Sequence, residues 1–320
     1  MKQVLLSIEN LTIGIPIGDH MMKPVNDVSF QVDDGEALGL VGESGCGKTM
    51  TAMSILRLLP RVARIRGGRV LFKGQNLIDL PPEELRTIRG SEISIIFQDP
   101  RGALDPIYRV GELTREPLKI HDRPKDKTRV VDLLRSVEIP APEHTQLSYP
   151  FQLSEGMCQR VMAAVSLACE PSLLIADEPT TNLDVTIQAA FMKLLKKLRD
   201  TTNITILFIS HNLNLVRELC DKVAIMYAGT IVERGSAEIV MKSPKHPYMI
   251  ALLNCMHTFG SSTKKLKAIP GKVPELSDFP TGCVFHPRCA HSMEKCKTKT
   301  PNETYVNGRM VRCFLYEGLE

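Results

Sequence analysis

The sequence predicts an α/β protein: a mainly parallel core sheet, an antiparallel β part near its start, an inserted helical subdomain and a small Cys-rich C-terminal extension. Three observations predict it. A glycine-rich loop, "GESGCGKT" at Gly42–Thr49, stands between the apolar run "ALGLV" and the helix-periodic "TMTAMSILRLL". Continuous apolar runs, "SLLIADEP" and "NITILFIS", alternate with helical patterns, the order of a parallel sheet covered on both faces. Cys283, Cys289, Cys296 and Cys313 gather on a late stretch poor in core residues, where thiols have work other than packing.

At 320 residues the chain is longer than one hydrophobic core usually fills, so a domain over about residues 1–250 and an extension over 251–320 are expected. "VLLSIENLTI" and "VNDVSFQV" read as short strands set off by turns, and "RVLFKG" and "EISIIFQD" as further strands. From about 99 to 170 the texture is helical; "RVVDLLRSV" places Val130, Leu133, Leu134 and Val137 on one face. "TIQAAFMKLLKKL" and "LNLVREL" read as helices, and "KVAIMYAGTIVERG" as a hairpin turning at Ala228 and Gly229. Past the helix at "HPYMIALLNCM", the stretch "GSSTKKLKAIPGKVPELSDFPTG" reads as a linker or a docked irregular segment.

Composition is that of an ordinary soluble globular protein, 43% hydrophobic and 24% charged, and a net charge of +4 is too small to argue for nucleic acid. No apolar run approaches the ~20 residues that span a bilayer. The opening "MKQVLLSIEN" turns polar before a signal-peptide core can form, which places the chain in the cytosol, where a disulfide framework is not expected.

"GESGCGKT" fits G-x-x-x-x-G-K-[ST]. Backbone N–H groups cradle phosphates, Lys48 reaches the β and γ phosphates, and the Thr49 hydroxyl coordinates Mg²⁺. The nucleotide contacts expected here are Gly42, Glu43, Ser44, Gly45, Cys46, Gly47, Lys48, Thr49 and Met50. "LLIADE" ends a buried strand in two carboxylates, Asp177 to hold Mg²⁺ through its water shell and Glu178 to polarise the attacking water. Gln98 and His211 also follow buried strands, so four strand ends carry Lys48, Gln98, Asp177 and His211 to one rim, as one triphosphate and one water require.

In order along the chain, "GESGCGKT", "FQDP", "LSEGMCQR", "LLIADEPTTNLD" and "FISHNL" resemble the Walker A, Q-loop, signature, Walker B with D-loop, and switch histidine of ABC-type ATPases. The resemblance implies a P-loop NTPase fold of the ABC-ATPase kind and a head-to-tail dimer, each ATP sandwiched between one chain's Walker A and its partner's signature. It implies Thr49, Gln98 and Asp177 as Mg²⁺ ligands, Glu178 and His211 as catalytic groups, and Asp184 in the D-loop. It further implies Ser154, Glu155, Gly156, Met157 and Gln159 as the signature facing the partner's ATP, and a helical subdomain that receives a membrane partner.

"SPKHPYMIALL" followed by "PTGCVFHPRCAHSMEKCKTKTP" and "VRCF" resembles the C-terminal extension of oligopeptide and dipeptide importer ATPases. The spacing C-x5-C-x6-C-x16-C matches neither a zinc nor an iron–sulfur C-x2-C pattern; a four-Cys zinc site, with His286 or His291 as substitutes, and an iron–sulfur cluster both remain open on the residues alone. The resemblance implies a [4Fe–4S] cluster. Among the remaining thiols, Cys46 is a candidate low-pKa group beside the phosphates, and Cys169, Cys220 and Cys255 are expected at helix ends or on an apolar face.

Two departures stand out. Between Leu11 and Ser29 there is no Phe, Tyr or Trp to lie against adenine, leaving His20 or the Met21–Met22 pair for that contact. The signature carries Glu155 where the family has glycine. A carboxylate about 5 Å from the partner's γ-phosphate costs roughly 3 kcal/mol at an effective dielectric near 20, so a homodimer would carry two impaired sites and a heterodimer one. Expectation is therefore an ATP-hydrolysing subunit of a peptide importer, on the cytoplasmic face of the membrane. Its partners are a second, related ATPase, two integral permease subunits and, indirectly, an extracytoplasmic solute-binding protein. The "EGMCQ" signature resembles the Sap-type peptide branch. An importer of nickel or another solute, a soluble ABC protein acting on nucleic acid or ribosomes, and a redox-sensing regulatory subunit are the alternatives.

Overall fold

The computed structural model describes residues 3–18, 20–257 and 269–318. Two compact units form, one from Met1–Leu5, Val32–Ala37 and Asn76–Ser210, the other from Leu6–Gln31, Leu38–Gln75 and His211–Glu320.

In the second unit, strand Val4–Ile17 pairs antiparallel with Arg64–Phe72, Leu6 opposite Phe72 and Ile8 opposite Val70. Leu6, Ile8, Leu11 and Ile13 are all buried, and the change of parity between Ile8 and Leu11 falls where the strand register shifts, between Glu9 and Thr12. Strand Ala37–Val41, buried at every position, runs parallel to Lys222–Tyr227, with Val41 opposite Ile225. Lys222–Tyr227 turns at Ala228 and Gly229 into Thr230–Ser236, the hairpin expected there. Beyond it, Arg309–Val311 and then Thr304–Val306 extend the same sheet by antiparallel pairing, Glu233 opposite Val311 and Tyr305 opposite Met310. These two strands are three residues each, too short for any alternation to announce them.

Glu233 locks this join. It is fully buried and accepts hydrogen bonds from the backbone N–H of Lys245 (3.0 and 3.1 Å) and of His246 (2.8 Å), with the Arg309 guanidinium 3.4 Å away. Burial pushes its carboxyl up, while those donors and Arg309 pull it back toward ionisation. The first part of the stretch expected as a linker, residues 260–268, lies outside the described residues; from 269 it is irregular but for one 3-10 turn at Leu276–Asp278.

In the first unit, Ile93–Ile96, Leu173–Asp177 and Thr205–Ser210 form parallel neighbours, Ile93 opposite Leu173 and Asp177 opposite Ile209. Leu173–Asp177 and Thr205–Ser210 are buried throughout, the reason their sequences run apolar without alternation. Helices Val110–Ile120, Lys127–Ser136 and Glu155–Leu167 occupy the region expected to be helical, and Val130, Leu133, Leu134 and Val137 are buried as their spacing predicts. Helix Val185–Thr202 buries one stripe, Phe191, Met192, Leu194 and Leu195. Among the described residues no helix is long and apolar enough to cross a membrane.

Candidate nucleotide-binding site

The glycine loop lies in the second unit. Strand Ala37–Val41 delivers the chain to Gly42, where a Cβ would sit 2.2 Å from the Met226 carbonyl oxygen; only glycine lets the loop pass so close to the neighbouring strand. Gly47, at φ +106°, begins helix Lys48–Ile55, whose N-terminus no side chain caps. Its first N–H groups therefore face the loop, an anion site made of backbone dipoles. Lys48 is 4% exposed, its ammonium 2.9 Å from the Gly42 carbonyl and 3.1 Å from that of Glu43. Ser44 and Gly45 are exposed on the loop and Thr49 in the first turn of the helix, and Met50 is half-buried.

Cys46 corrects one expectation. It is buried, and desolvation outweighs the nearby Lys48 ammonium, so its thiol is pushed up rather than down. His211 lies in this unit too, exposed just beyond Ser210, with Asn212 capping the helix Leu213–Leu219. Met21 and Met22 line a cavity with Phe279 from the C-terminal segment, an aromatic neighbour that no local pattern foretells.

The first unit carries the other motifs. Asp177 is the buried last residue of its strand, and Glu178 follows in a left-handed conformation, φ 45°. Its N–H donates to the Ile209 carbonyl at 3.0 Å, and its Oε2 accepts from the Thr181 hydroxyl at 3.0 Å. A non-glycine residue held at positive φ costs on the order of 1 kcal/mol, and such strain collects at functional positions. Gln98 is exposed two residues beyond Ile93–Ile96. Next to it, Asp99 caps the turn Pro100–Ala103, and Arg101 donates to the Leu153 carbonyl at 3.1 Å, tying the glutamine loop to the signature.

Ser154 is the N-cap of helix Glu155–Leu167, its hydroxyl accepting from the Met157 N–H at 3.3 Å. Glu155, half-buried, stands in the first turn, where a carboxylate complements the helix dipole. Gly156 is required by packing, since a Cβ there would lie 2.7 Å from the Ile187 side chain. Gln159 is buried with its Nε2 unpartnered. Asp184 caps helix Val185–Thr202, accepting from the N–H groups of Thr186 and Ile187 at 3.0 Å each.

Over residues 25–181 the sequence matches the ABC transporter family, and over 232–296 the C-terminal region of oligopeptide/dipeptide transporters. It is 44% identical to the oligopeptide transport ATP-binding protein OppD of Salmonella typhimurium, covering 97% of this chain and 93% of that one. With DppD, the dipeptide transport ATP-binding protein of Haemophilus influenzae, identity is 41% over 97% of this chain and 94% of the other. The chain belongs to the ATP-binding subunits of the oligopeptide/dipeptide ABC transporter family.

As an ABC ATPase it shares its fold with the dimeric ATP-binding cassette MJ0796 in a post-hydrolysis state bound to ADP and Pi, with a TM-score of 0.66 and 26% identity over 73% of this chain and 99% of that one. What sets the oligopeptide/dipeptide branch apart on this chain is the C-terminal segment. Cys283, Cys289, Cys296 and Cys313 all line one small cavity. The N–H of His291 donates to Cys289 Sγ and that of Met293 to Cys296 Sγ, each at 3.4 Å. Burial, with the neighbouring thiols adding to it, raises the Cys283 and Cys289 thiols, and that of Cys313 to about 11. Among the described residues, no group of three or more His, Cys, Asp or Glu is arranged to hold a metal ion.

Proposed function

We propose that this chain hydrolyses ATP to power a membrane importer of peptides, as one half of an asymmetric pair with a second, related ATPase. The observation that carries the reading is the pairing, on one chain, of the ABC ATPase region with the oligopeptide/dipeptide C-terminal region. The chain then sits peripherally on the cytoplasmic face of the cell membrane, under two permease subunits that receive cargo from an extracytoplasmic binding protein. Support for a docking face comes from the helical part of the first unit. Ile107 (72% exposed), Tyr108, Leu147 and Phe151 (65%) offer apolar area beside a groove lined by Glu112, Arg115, Glu116 and Lys119.

In this reading the loop amides and Lys48 bind the β and γ phosphates, Thr49, Asp177 and Gln98 hold Mg²⁺ in place, Glu178 takes up the attacking water's proton, and His211 hydrogen-bonds the γ-phosphate. A bound Mg²⁺ would supply charge neutralisation at the triphosphate. Ser154, Gly156 and the first amides of their helix close over the partner's ATP, with Met157 and Asp184 in the same face, whereas Gln159 is buried in this chain and does not reach it. Glu155 adds a negative charge to that face, so the chain alone should turn over ATP poorly and the mixed pair well. Glu155→Gly should raise the lone chain's ATPase at least tenfold; full turnover by the unaltered chain without permease or second ATPase would sink the asymmetric pair.

The four cysteines line one small cavity but are not arranged as ligands, so a soft-metal centre would have to draw their thiols together, a cation being what makes such neighbouring thiolates stable. The resemblance of this segment to the extension of the importer ATPases is what favours a [4Fe–4S] cluster over zinc. Its chemistry would be a crosslink for a segment with little core. Iron and acid-labile sulfide should each be found near four per chain after anaerobic purification; one zinc per chain without sulfide would overturn the assignment.

A further inference from the structure

Glu43, the second residue of the glycine loop, is held on every polar atom. Its N–H donates to the Tyr248 hydroxyl at 3.1 Å, and its carbonyl accepts from Lys48 Nζ at 3.1 Å and from the Cys46 N–H at 3.3 Å. Its carboxylate meets the Arg288 guanidinium in a two-pronged pair, Nη1 to Oε2 at 2.7 Å and Nη2 to Oε1 at 3.3 Å. Arg288 is 6% exposed and belongs to the C-terminal segment, in the turn His286–Arg288 immediately before Cys289. It is itself fixed, with Nε donating to the Pro270 carbonyl at 3.0 Å and the guanidinium lying over the Tyr227 ring at 5.8 Å. Tyr227 packs in turn against Tyr248 and Phe285, the three ring centroids 4.7 to 5.5 Å apart and all three rings buried.

A buried, planar fork against a carboxylate fixes orientation as well as charge. The same Glu43 whose side chain is gripped also presents its carbonyl to Lys48, the ammonium that must reach the phosphates. We infer that Arg288 is a positioning residue for nucleotide binding: through Glu43 it holds the phosphate loop open and keeps a carboxylate from facing the triphosphate unpaired. ATP affinity thus depends on the folded C-terminal segment. This rests on the nucleotide reading of the loop given above.

The test measures Mg²⁺-dependent binding of trinitrophenyl-ATP and steady-state ATPase in the assembled transporter, for the unaltered protein, Arg288→Ala, Arg288→Lys, Glu43→Gln and the double variant. Arg288→Ala should raise Kd and the KM for ATP tenfold or more, with kcat at saturating ATP within about threefold. Glu43→Gln combined with Arg288→Ala should recover most of the affinity lost in Arg288→Ala, because the harm passes through the unpaired carboxylate. If Arg288→Ala does not fold, Arg288→Lys, which keeps charge and stem but not the fork, carries the same comparison at smaller amplitude. Unchanged affinity on losing Arg288, or a loss that persists in full in the double variant, would overturn the inference. Failure of the unaltered protein to bind the nucleotide would instead strike the nucleotide reading itself.

Discussion

Glu178→Gln should abolish most ATP turnover of the assembled pair, lowering kcat a hundredfold or more while Mg·ATP affinity stays within about threefold. General-base assistance contributes roughly 10² to 10⁴ in rate, and glutamine keeps the shape while losing the basicity. The residue is held at both its backbone and its side chain. Its backbone is pinned in a left-handed conformation by the N–H bond to Ile209, and its carboxylate is steered by Thr181. A uniform loss in binding and catalysis would mean a disturbed strand end instead. Single-turnover hydrolysis with bound ATP separates the two, since the proposed role predicts nucleotide retained and unhydrolysed. Turnover unchanged in the pair would move the base elsewhere.

Gly47→Ala should raise the Kd for ATP at least a hundredfold. The new Cβ would lie 2.3 Å from the Pro24 carbonyl oxygen, and φ is +106°, so the loop must move at the first turn of the anion-binding helix. Gly45→Ala is the control: its φ is +79°, yet nothing lies within 4 Å of the added methyl. Backbone strain alone, on the order of 1–2 kcal/mol, should cost it about tenfold. Titration of trinitrophenyl-ATP into both variants, with thermal melting to verify the fold, distinguishes collision from strain; equal losses would show that the Pro24 contact does not matter.

What the sequence disclosed was local. Buried strands announce themselves by unbroken apolar runs, and the loops after them by glycine or a carboxylate, so Lys48, Asp177 and the Ala228–Gly229 turn fall where the pattern predicts. Val130 through Val137 were legible for the same reason, a helical period read within one turn. What stayed hidden depends on partners distant in the chain. Arg288 and Glu43 are 245 positions apart, and neither neighbourhood hints at the other. The Cys46 thiol looked activated because its loop reads as lying beside the phosphates; its burial, which decides the direction, comes from the packing around the loop. Thr304–Val306 and Arg309–Val311 are strands because a sheet edge was open to them; Thr, Tyr and Val favour strands, but three residues are too few for that preference to announce one.

Pairing Arg309–Val311 onto Thr230–Ser236 has a consequence for biogenesis. The outer edge of Thr230–Ser236 leaves the ribosome well before its cover is translated. Until then its unpaired N–H and C=O groups are a template for any passing strand. A nascent chain of this protein is therefore most exposed to mispairing while the cysteine-bearing segment is being made, and a chaperone that shields that one edge would protect it more than one that shields the glycine loop.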